Sequence, residues 1–393
     1  MDLLKQLQLE VDKMNEREKE LDEILKEIVN EISITPTMLD KAITSYEAVG
    51  TWLGEGIKYD VKIFPQGSMN LGTTNKPITD KDDYDVDLVC LLENGKELVA
   101  REIKHIVGDR LKEHKIYREK ILEEGEGKRC WKMQYDEFHM DILPCVPRYI
   151  YKEPDITEIR LTHKKDSYYE DRYSNPTGYR KWFEKCMEKT LKIFKEAYAI
   201  ENKMEIIDVP IYRIKTPLQM AIQLLKRHRD IYFQKDDENA PISVIITTLA
   251  AKAYTGEESV YETLVNVLSK MSTFIEMRNG VYWIQNPVMP LENFADKWQE
   301  CPQKKIAFEN WIQKAREDFI TNPLNLVGID KIGDSFKKSL GEAPVKRALN
   351  NCADKKRNAR DNKELYSTGL LTGIATQKVA GATLIKGHTF FGK

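Results

Sequence analysis

Several features that would assign the chain to a particular class of protein are missing. No window approaches the roughly 18 uninterrupted apolar residues of a spanning helix, and the charged N-terminal segment lacks the apolar core of a secretory signal. The six cysteines are scattered without a C-x-x-C pair, which argues against a disulfide scaffold or zinc knuckle. We therefore expect a cytoplasmic protein that does not enter a membrane.

An excess of either charge is missing as well. The 61 Lys and Arg residues nearly balance the 63 Asp and Glu residues, for a net charge of −2. A basic field over the whole chain, as in non-specific nucleic-acid binders, is excluded, while a local patch stays open. With 393 residues, 41% hydrophobic and 32% charged, the chain is long and apolar enough for two folded domains or three small ones.

Hydrophobic spacing predicts that the chain begins with one long helix. Apolar residues recur every three or four positions, at Leu4, Leu7, Val11, Met14, Leu21, Leu25, Ile28 and Ile32. Additional apolar positions at Ile24 and Val29 favour a broad face packed on the protein's own domains over a coiled-coil seam to a partner. A second helix is expected to end at Gly54 or Gly56.

The rhythm then changes to strand, strand, helix, strand and strand, which predicts a mixed α/β core, and becomes mainly helical after Ser174–Tyr179. Within the helical part, Thr216 is the expected N-cap of a helix that starts at Pro217. We divide the chain into N-terminal helices that brace both lobes, an α/β core, a helical C-terminal domain and a flexible tail, at residues 1–56, 57–200, 201–365 and 366–393.

The most informative residues are two aspartates in the strand DYDVDLVCLL. Asp85 and Asp87 are two positions apart and therefore project to the same face of a strand. Two neighbouring carboxylates repel each other, and a hard divalent cation such as Mg²⁺ relieves that repulsion. The nearby Asp80, Asp82 and Asp83 are interpreted as solvated loop charges.

A third acid, Asp141, lies between Met140 and Ile142 in another apolar strand. It is either an exposed edge residue or part of the same metal site, and the acid-bearing strand upstream favours the metal site. Three aspartates on adjacent strands can hold two Mg²⁺ or Mn²⁺ ions about 4 Å apart, as in two-metal phosphoryl transfer. The Gly67–Ser68 turn before these strands would let backbone N–H groups reach nucleotide phosphates.

This order of a Gly-Ser turn, a D-x-D strand and a lone strand aspartate resembles the polymerase-β-type nucleotidyltransferase superfamily. More narrowly, the chain resembles the bacterial CD-NTases, relatives of cyclic GMP–AMP synthase, between about residues 34 and 300. The segments that carry the resemblance are QGSMNLGTT, DYDVDLVC, MDILPCVP, SNPTGYRKWF, LLKRHRD, ISVIITTLAA and IQNPVMPLENFADKW.

The resemblance implies an α+β fold with two lobes: a polymerase-β-like core with a mixed sheet, a long N-terminal helix and a helical C-terminal lobe. It implies an enzyme that joins NTPs into a cyclic di- or trinucleotide messenger in anti-phage defence, releasing pyrophosphate. A regulatory or conjugating protein partner is also implied, the latter through the C-terminus, although the printed sequence ends in Lys393 and not in glycine. Without a zinc-binding His/Cys cluster in the sequence, activation by double-stranded DNA is not expected.

The same resemblance implies a role for individual residues. Asp85, Asp87 and Asp141 would be catalytic metal ligands, and the donor nucleotide would be bound by Gln66, Gly67, Ser68, Lys226 and Ser243. Lys226 would reach the terminal phosphates, and its alternative is an ordinary surface lysine. Ser243 would be a hydroxyl partner at a helix start, and its alternative is a plain N-cap.

Weaker candidates have structural interpretations. His139 would share the face of Asp141 but is interpreted as a hydrogen-bonded strand histidine, and Trp131 and Tyr135 as core aromatics. The cluster KKRNAR at 355–360 is interpreted as a solvated helix face. Two other functions stay open: a nucleotidyltransferase that acts on an RNA end or small molecule, and a catalytically silent nucleotide-binding scaffold. The retention of all three aspartates argues against the scaffold.

Overall fold

A computed structural model describes residues 2–79, 83–149, 157–206, 210–326 and 329–362 and the pairs 366–367, 374–375 and 383–384. Side chains are described between residues 16 and 362 within those ranges, except at 122–124 and 329. No helix in these ranges is long and apolar enough to span a membrane. The observed architecture is the mixed α+β arrangement expected from the sequence.

Two helices open the chain and pack on different cores. The long first helix is confirmed as α1 (Asp2–Ile32), and its described apolar residues from Leu21 onward are buried in the core of the helical lobe. The apolar positions Leu4 to Met14 fall where side chains are not described. Helix α2 (Pro36–Gly56) ends where predicted and packs on the sheet, with the Thr35 hydroxyl accepting a hydrogen bond from the Met38 N–H at 3.2 Å.

A mixed sheet of seven strands forms the first lobe. In chain order these are β1 (Val61–Pro65), β2 (Tyr84–Leu92), β3 (Ile121–Glu126), β4 (Trp131–Gln134), β5 (Phe138–Pro147), β6 (Ile159–Lys164) and β7 (Tyr169–Ser174). In space the order is β1-β2-β5-β4-β3, and β6 joins the end of β5 to β7. The central pair, β2 and β5, runs parallel, whereas the other described pairs of this sheet are antiparallel.

The predicted strands β1, β2, β4 and β5 are confirmed, but three others were missed. Strand β6 has only two aliphatic residues, Ile159 and Leu161, β7 carries exposed charged residues, and β3 contains a glycine and three glutamates. Three helices complete this lobe: α3 (Gly67–Leu71), α4 (Ala100–Glu113) and α5 (Lys115–Lys120). Helix α4 buries Ile103, Val107 and Leu111 against one face of the sheet.

Helices dominate the second lobe. They are α6 (Pro176–Cys186), α7 (Glu188–Asn202), α8 (Pro217–Tyr232), α9 (Ser243–Ala253), α10 (Val260–Lys270), α11 (Lys297–Glu300), α12 (Pro302–Arg316), α13 (Asn322–Asn325), α14 (Ile329–Leu340) and α15 (Glu342–Asp361). The predicted Thr216 cap of α8 is confirmed, since its hydroxyl accepts from the Gln219 N–H and the Gln219 side chain accepts from the Thr216 N–H.

Short antiparallel strands interrupt the helices. Strand β8 (Glu276–Arg278) pairs with β9 (Val281–Trp283), and β10 (Gln285–Asn286) pairs with β11 (Met289–Asn293). In the segment predicted to be a flexible tail, most residues lie outside the described ranges. The described pairs there form β12 (Tyr366–Ser367), β13 (Ile374–Ala375) and β14 (Thr383–Leu384).

The basic cluster at 355–360 lies mostly exposed on α15, as the sequence interpretation expects, and two of its lysines also contact α1. Lys355 and Lys356 on α15 form ion pairs with Glu27 and Glu20 on α1. The two helices pack along each other, so these lysines stabilise a contact within the protein. Each surface ion pair of this kind contributes little free energy. The two lysines nevertheless have acidic partners within the protein, so they are less available to bind nucleic acid.

Candidate active site

The structure brings the three predicted catalytic aspartates to one face of the sheet. Asp87 on β2 lies in register with Asp141 on β5, and Asp85 lies in register with His139. In-register neighbours of a parallel pair point to the same side, as do residues two positions apart. Their apolar neighbours Val86 and Met140 point to the opposite side, into the core beneath α4.

The electrostatics of this face show that negative charge is unfavourable there. Burial, followed by the charges of Asp85 and Asp141, raises the pKa of Asp87 to about 7. Burial, followed by the charge of Asp141, also raises the pKa of Asp85, although part of the Asp85 side chain is exposed to solvent. Nearby Lys226 opposes both shifts. The protein therefore does not fully compensate the negative charge of these carboxylates, and a bound cation would stabilise it.

The donor set fits hard divalent cations. Asp85, Asp87 and Asp141 supply only carboxylate oxygens, which Mg²⁺ and Mn²⁺ prefer. Among the described side chains, no three His, Cys, Asp or Glu groups already converge on one point as a formed metal site. One carboxylate oxygen of Asp141 accepts a hydrogen bond from the Cys130 thiol, with 3.2 Å between Sγ and Oδ2.

The Gly67–Ser68 corner lies directly on Asp87. Gly67 has a φ of +58°, and a Cβ atom at this position would lie 2.4 Å from Oδ2 of Asp87, so only glycine fits. The Gln66 N–H donates to the Asp87 carbonyl oxygen at 2.8 Å. The predicted turn is the start of the short helix α3, with Gln66 at the N-cap position. The corner and the carboxylates thus form one surface.

Lys226 lies inside the cleft, so its interpretation as a surface lysine is wrong. Its side chain is buried on α8, and its Nζ donates to the Thr73 carbonyl oxygen at 2.9 Å. Burial, followed by the charge of Arg229, lowers its pKa to about 8, while Asp87 and Asp85 act in the other direction. The ammonium is therefore placed to receive an additional anion.

Ser243 is the first residue of α9, and the N-cap position belongs to Ile242, so the plain N-cap interpretation is also wrong. The Ser243 hydroxyl accepts a hydrogen bond from Nη1 of Arg229 at 3.2 Å. Two adjoining cavities share Gly67, Ser68, Lys226 and Ser243 in their walls. The residues predicted to bind the donor nucleotide thus meet in one place.

The two cavities extend in different directions from this shared wall. The first, the carboxylate cavity, contains Asp85 and Asp87. The second, the cleft cavity, contains Gln66 in its wall and reaches Tyr179 and the hairpin β10–β11.

Some residues of the site were missed from the sequence. Asp83 is not a solvated loop charge: its Oδ2 accepts from the Gln134 side chain at 2.6 Å and lies 3.2 Å from Nε2 of His139. Asp80 and Asp82 lie outside the described residues. Arg229 and Asp230 also line the carboxylate cavity. The three-residue spacing from Lys226 to Arg229 on a helix could have indicated Arg229.

The remaining candidates have the structural positions expected of them. His139 is half-buried, with its Nε2 3.2 Å from Oδ2 of Asp83, and lies on the same face as Asp85. Trp131 is a buried core residue whose indole N–H donates to the Lys104 carbonyl oxygen at 2.9 Å. Tyr135 is partly buried against the same core and stacks on Phe138.

Similarity to known proteins agrees with this geometry. Residues 61–145 match the nucleotidyltransferase domain of cyclic GMP–AMP synthase DncV-like proteins. Over 384 residues, which cover 95% of this chain and 97% of the relative, the sequence is 31% identical to the c-di-GMP synthase of Roseivirga ehrenbergii. The chain belongs to the bacterial CD-NTase family. It is a nucleotidyltransferase, and its curated relatives are cyclic dinucleotide synthases.

More distant CD-NTases share the fold. The cyclic dinucleotide synthase CdnG of Bradyrhizobium diazoefficiens is 24% identical over 95% of this chain and 95% of its own length. Its solved structure with GTP aligns with a TM-score of 0.66 at 22% identity, over 85% of this chain and 99% of that one. CdnC of E. coli MS115-1, solved with ATP, aligns with a TM-score of 0.55 at 14% identity, over 81% and 96%.

Proposed function

We propose that this chain joins two NTPs into a cyclic dinucleotide messenger and releases pyrophosphate; a cyclic trinucleotide is the other ring size. The observation that carries the proposal is the placement of Asp85, Asp87 and Asp141 on one face of the sheet, with the Gly67–Ser68 corner against Asp87. The c-di-GMP synthase similarity over nearly the whole chain supports a cyclic product. In this reaction a ribose hydroxyl of one nucleotide attacks the α-phosphate of another, and the linear product is then cyclised.

The chain's own residues would bind and orient the donor triphosphate. Backbone N–H groups at Gly67 and Ser68, together with the Ser68 and Ser243 hydroxyls, would hold the phosphate oxygens. The buried Lys226 would place a positive charge against them. Fixing the two nucleotides in this way converts a bimolecular reaction into an effectively unimolecular one.

Two divalent cations would be held by Asp85, Asp87 and Asp141. Bound there, they would supply the positive charge that activates the attacking hydroxyl and neutralises the leaving pyrophosphate. The raised pKa of Asp87 supports this assignment, because it marks a carboxylate whose negative charge the protein alone leaves uncompensated.

Conservative substitutions test the assignment. Asp85→Asn, Asp87→Asn and Asp141→Asn should each abolish incorporation of labelled NTPs in Mg²⁺, with the far-ultraviolet circular dichroism unchanged. Asp109→Asn is the matched control, because Asp109 is an exposed aspartate on α4 outside both cavities. Wild-type rates of incorporation in any of the three variants would overturn the metal assignment.

The same assay separates the alternatives. A nucleotidyltransferase for RNA ends or small molecules needs an added acceptor, whereas a cyclase forms a phosphatase-resistant product from NTPs alone. A silent scaffold would bind NTPs in isothermal titration without releasing pyrophosphate. Either outcome would replace the proposal with that alternative.

The proposed biological role is anti-phage signalling, and the proposed partner is a regulatory protein. CdnC of E. coli MS115-1, a structural relative at 13% identity with a TM-score of 0.53, was solved in a complex with HORMA-deltaN. The role predicts that cells expressing the wild-type chain with its neighbouring genes resist phage and that cells expressing Asp85→Asn do not. Equal plaque counts on the two strains would contradict it.

A further inference from the structure

The wall of the cleft cavity includes an exposed carboxylate that is held by a buried amide. Asn286 on β10 is 5% exposed, and its Nδ2 donates to Oε2 of Glu292 on β11 at 2.6 Å. The Oδ1 atom of Asn286 in turn accepts from the Val288 N–H at 3.0 Å, which fixes the orientation of the amide. A carboxylate has about four acceptor positions, and the contact with Asn286 uses one of those on Glu292.

This carboxylate shares the cleft cavity with the phosphate-binding residues. Gly67, Ser68 and Lys226 line the cavity, and so do Asn286 and Glu292. The wall also includes the rings of Tyr179 and Phe294, whose centroids are 6.4 Å apart at an interplanar angle of 69°. The Tyr179 hydroxyl is held 2.8 Å from the Thr248 hydroxyl. The wall of the cavity thus combines polar, aromatic and acidic groups.

The acidic part distinguishes the nucleobases by their hydrogen-bonding edges. Guanine presents two adjacent donors, N1–H and the 2-amino group, which match the two oxygens of one carboxylate. Adenine presents the acceptor N1 with no 2-amino group, so its lone pair would face negative charge. A site built to bond a substrate N–H group rejects an analogue that lacks it, because the site's own polar group is then left unpaired.

We propose that Glu292 selects guanine in the donor nucleotide and that Asn286 positions its carboxylate. Glu292 accepts hydrogen bonds from N1–H and the 2-amino group, while the aromatic rings contact the base. This inference rests on the proposed function, because it requires the triphosphate of that nucleotide to lie on the Gly67–Ser68 corner.

The test compares GTP, ITP and ATP, because inosine is guanosine without the 2-amino group. Binding of their non-hydrolysable analogues is measured by isothermal titration, and kcat/KM is measured from pyrophosphate release. Wild type should prefer GTP over ITP by about tenfold and over ATP by about 100-fold or more. Glu292→Gln should lower the affinity and kcat/KM for GTP by at least tenfold. Its ratio of kcat/KM for GTP to kcat/KM for ITP should fall towards one. Asn286→Ala should also weaken GTP binding and lower kcat/KM for GTP, by a smaller factor.

A matched control and a different pattern of losses keep the inference testable. Glu300→Gln removes an exposed carboxylate on α11 of the same lobe, outside the cavity. It should leave the affinities and kcat/KM values for GTP, ITP and ATP unchanged. If Glu292→Gln lowers the affinity and kcat/KM equally for GTP, ITP and ATP, Glu292 contacts the ribose or stabilises the hairpin. That result would overturn the inference. An unchanged preference for GTP would overturn it as well.

The two proposals can fail separately. If wild type prefers GTP in a Glu292-dependent way but releases no pyrophosphate, base selection stands and the cyclase function fails. If pyrophosphate is released and a cyclic product forms without any dependence on Glu292, the function stands and base selection by Glu292 fails.

Discussion

Removing one carboxylate from the site should make the metal-free protein more stable while removing its activity. Asp87 has a pKa of about 7 in the folded protein, against an ordinary value of 3.8. A raised folded-state pKa means that the folded protein binds more protons than the unfolded chain between these two values. Wild type therefore loses stability as the pH rises from about 4 to about 7, and Asp87→Asn should lose less, because only the raised pKa of Asp85 remains.

The size of the stability difference follows from the pKa shift of Asp87. Three pKa units at about 1.4 kcal/mol each give about 4 kcal/mol as an upper limit above pH 7. Because Asp87 is partly open to solvent and titrates together with Asp85 and Asp141, we expect about 1–3 kcal/mol of added stability for Asp87→Asn at pH 8. Well below pH 4, where the carboxyl is neutral in both states, the difference should nearly vanish.

Thermal unfolding between pH 4 and pH 9 in the presence of a chelator measures this directly. The melting temperature of Asp87→Asn should rise above that of wild type with increasing pH, and Asp109→Asn should follow wild type. Added Mg²⁺ with a non-hydrolysable NTP should raise the melting temperature of wild type and have little effect on Asp87→Asn. A variant that is less stable than wild type by a pH-independent amount would refute the reasoning about charge repulsion.

Three more substitutions test other parts of the account. Gly67→Ala should lower nucleotide incorporation by about 100-fold or more, because its Cβ would lie 2.4 Å from the Asp87 carboxylate, and normal turnover would contradict the placement of the corner. Lys226→Met should raise the KM for NTP by at least about tenfold, and an unchanged KM in steady-state kinetics would remove Lys226 from the phosphate site. Trp131→Ala should cost about 3–5 kcal/mol in denaturant unfolding, because the indole is fully enclosed in the sheet core; a cost below about 1 kcal/mol would contradict that packing.

The central geometry of the site could be predicted because it depends on local rules. The two-residue period of a strand fixes Asp85 and Asp87 on one face, whatever lies around them. An aspartate in an apolar strand, such as Asp141, indicates a functional site because burying an isolated carboxylate is costly. The parallel register that sets Asp87 opposite Asp141 is a tertiary fact, which the sequence analysis did not predict.

What could not be predicted depends on contacts distant in sequence. Lys226 resembles a surface lysine beside an apolar stripe, but α8 is covered on nearly all sides, and the carbonyl that receives its ammonium belongs to Thr73. Asp83 resembles a loop charge until β4 supplies the Gln134 amide. Glu292 lies on a short hairpin with no periodic signal, and only the folded cavity connects it with the phosphate corner.

The most direct test of the central claim is the product formed by the purified protein from NTPs and Mg²⁺ alone. Each NTP and each pair of NTPs is incubated with enzyme, treated with phosphatase and analysed by mass spectrometry. The account predicts a phosphatase-resistant cyclic dinucleotide from a mixture that contains GTP, and none from Asp85→Asn. Linear products only, or no pyrophosphate release from any combination, would contradict it.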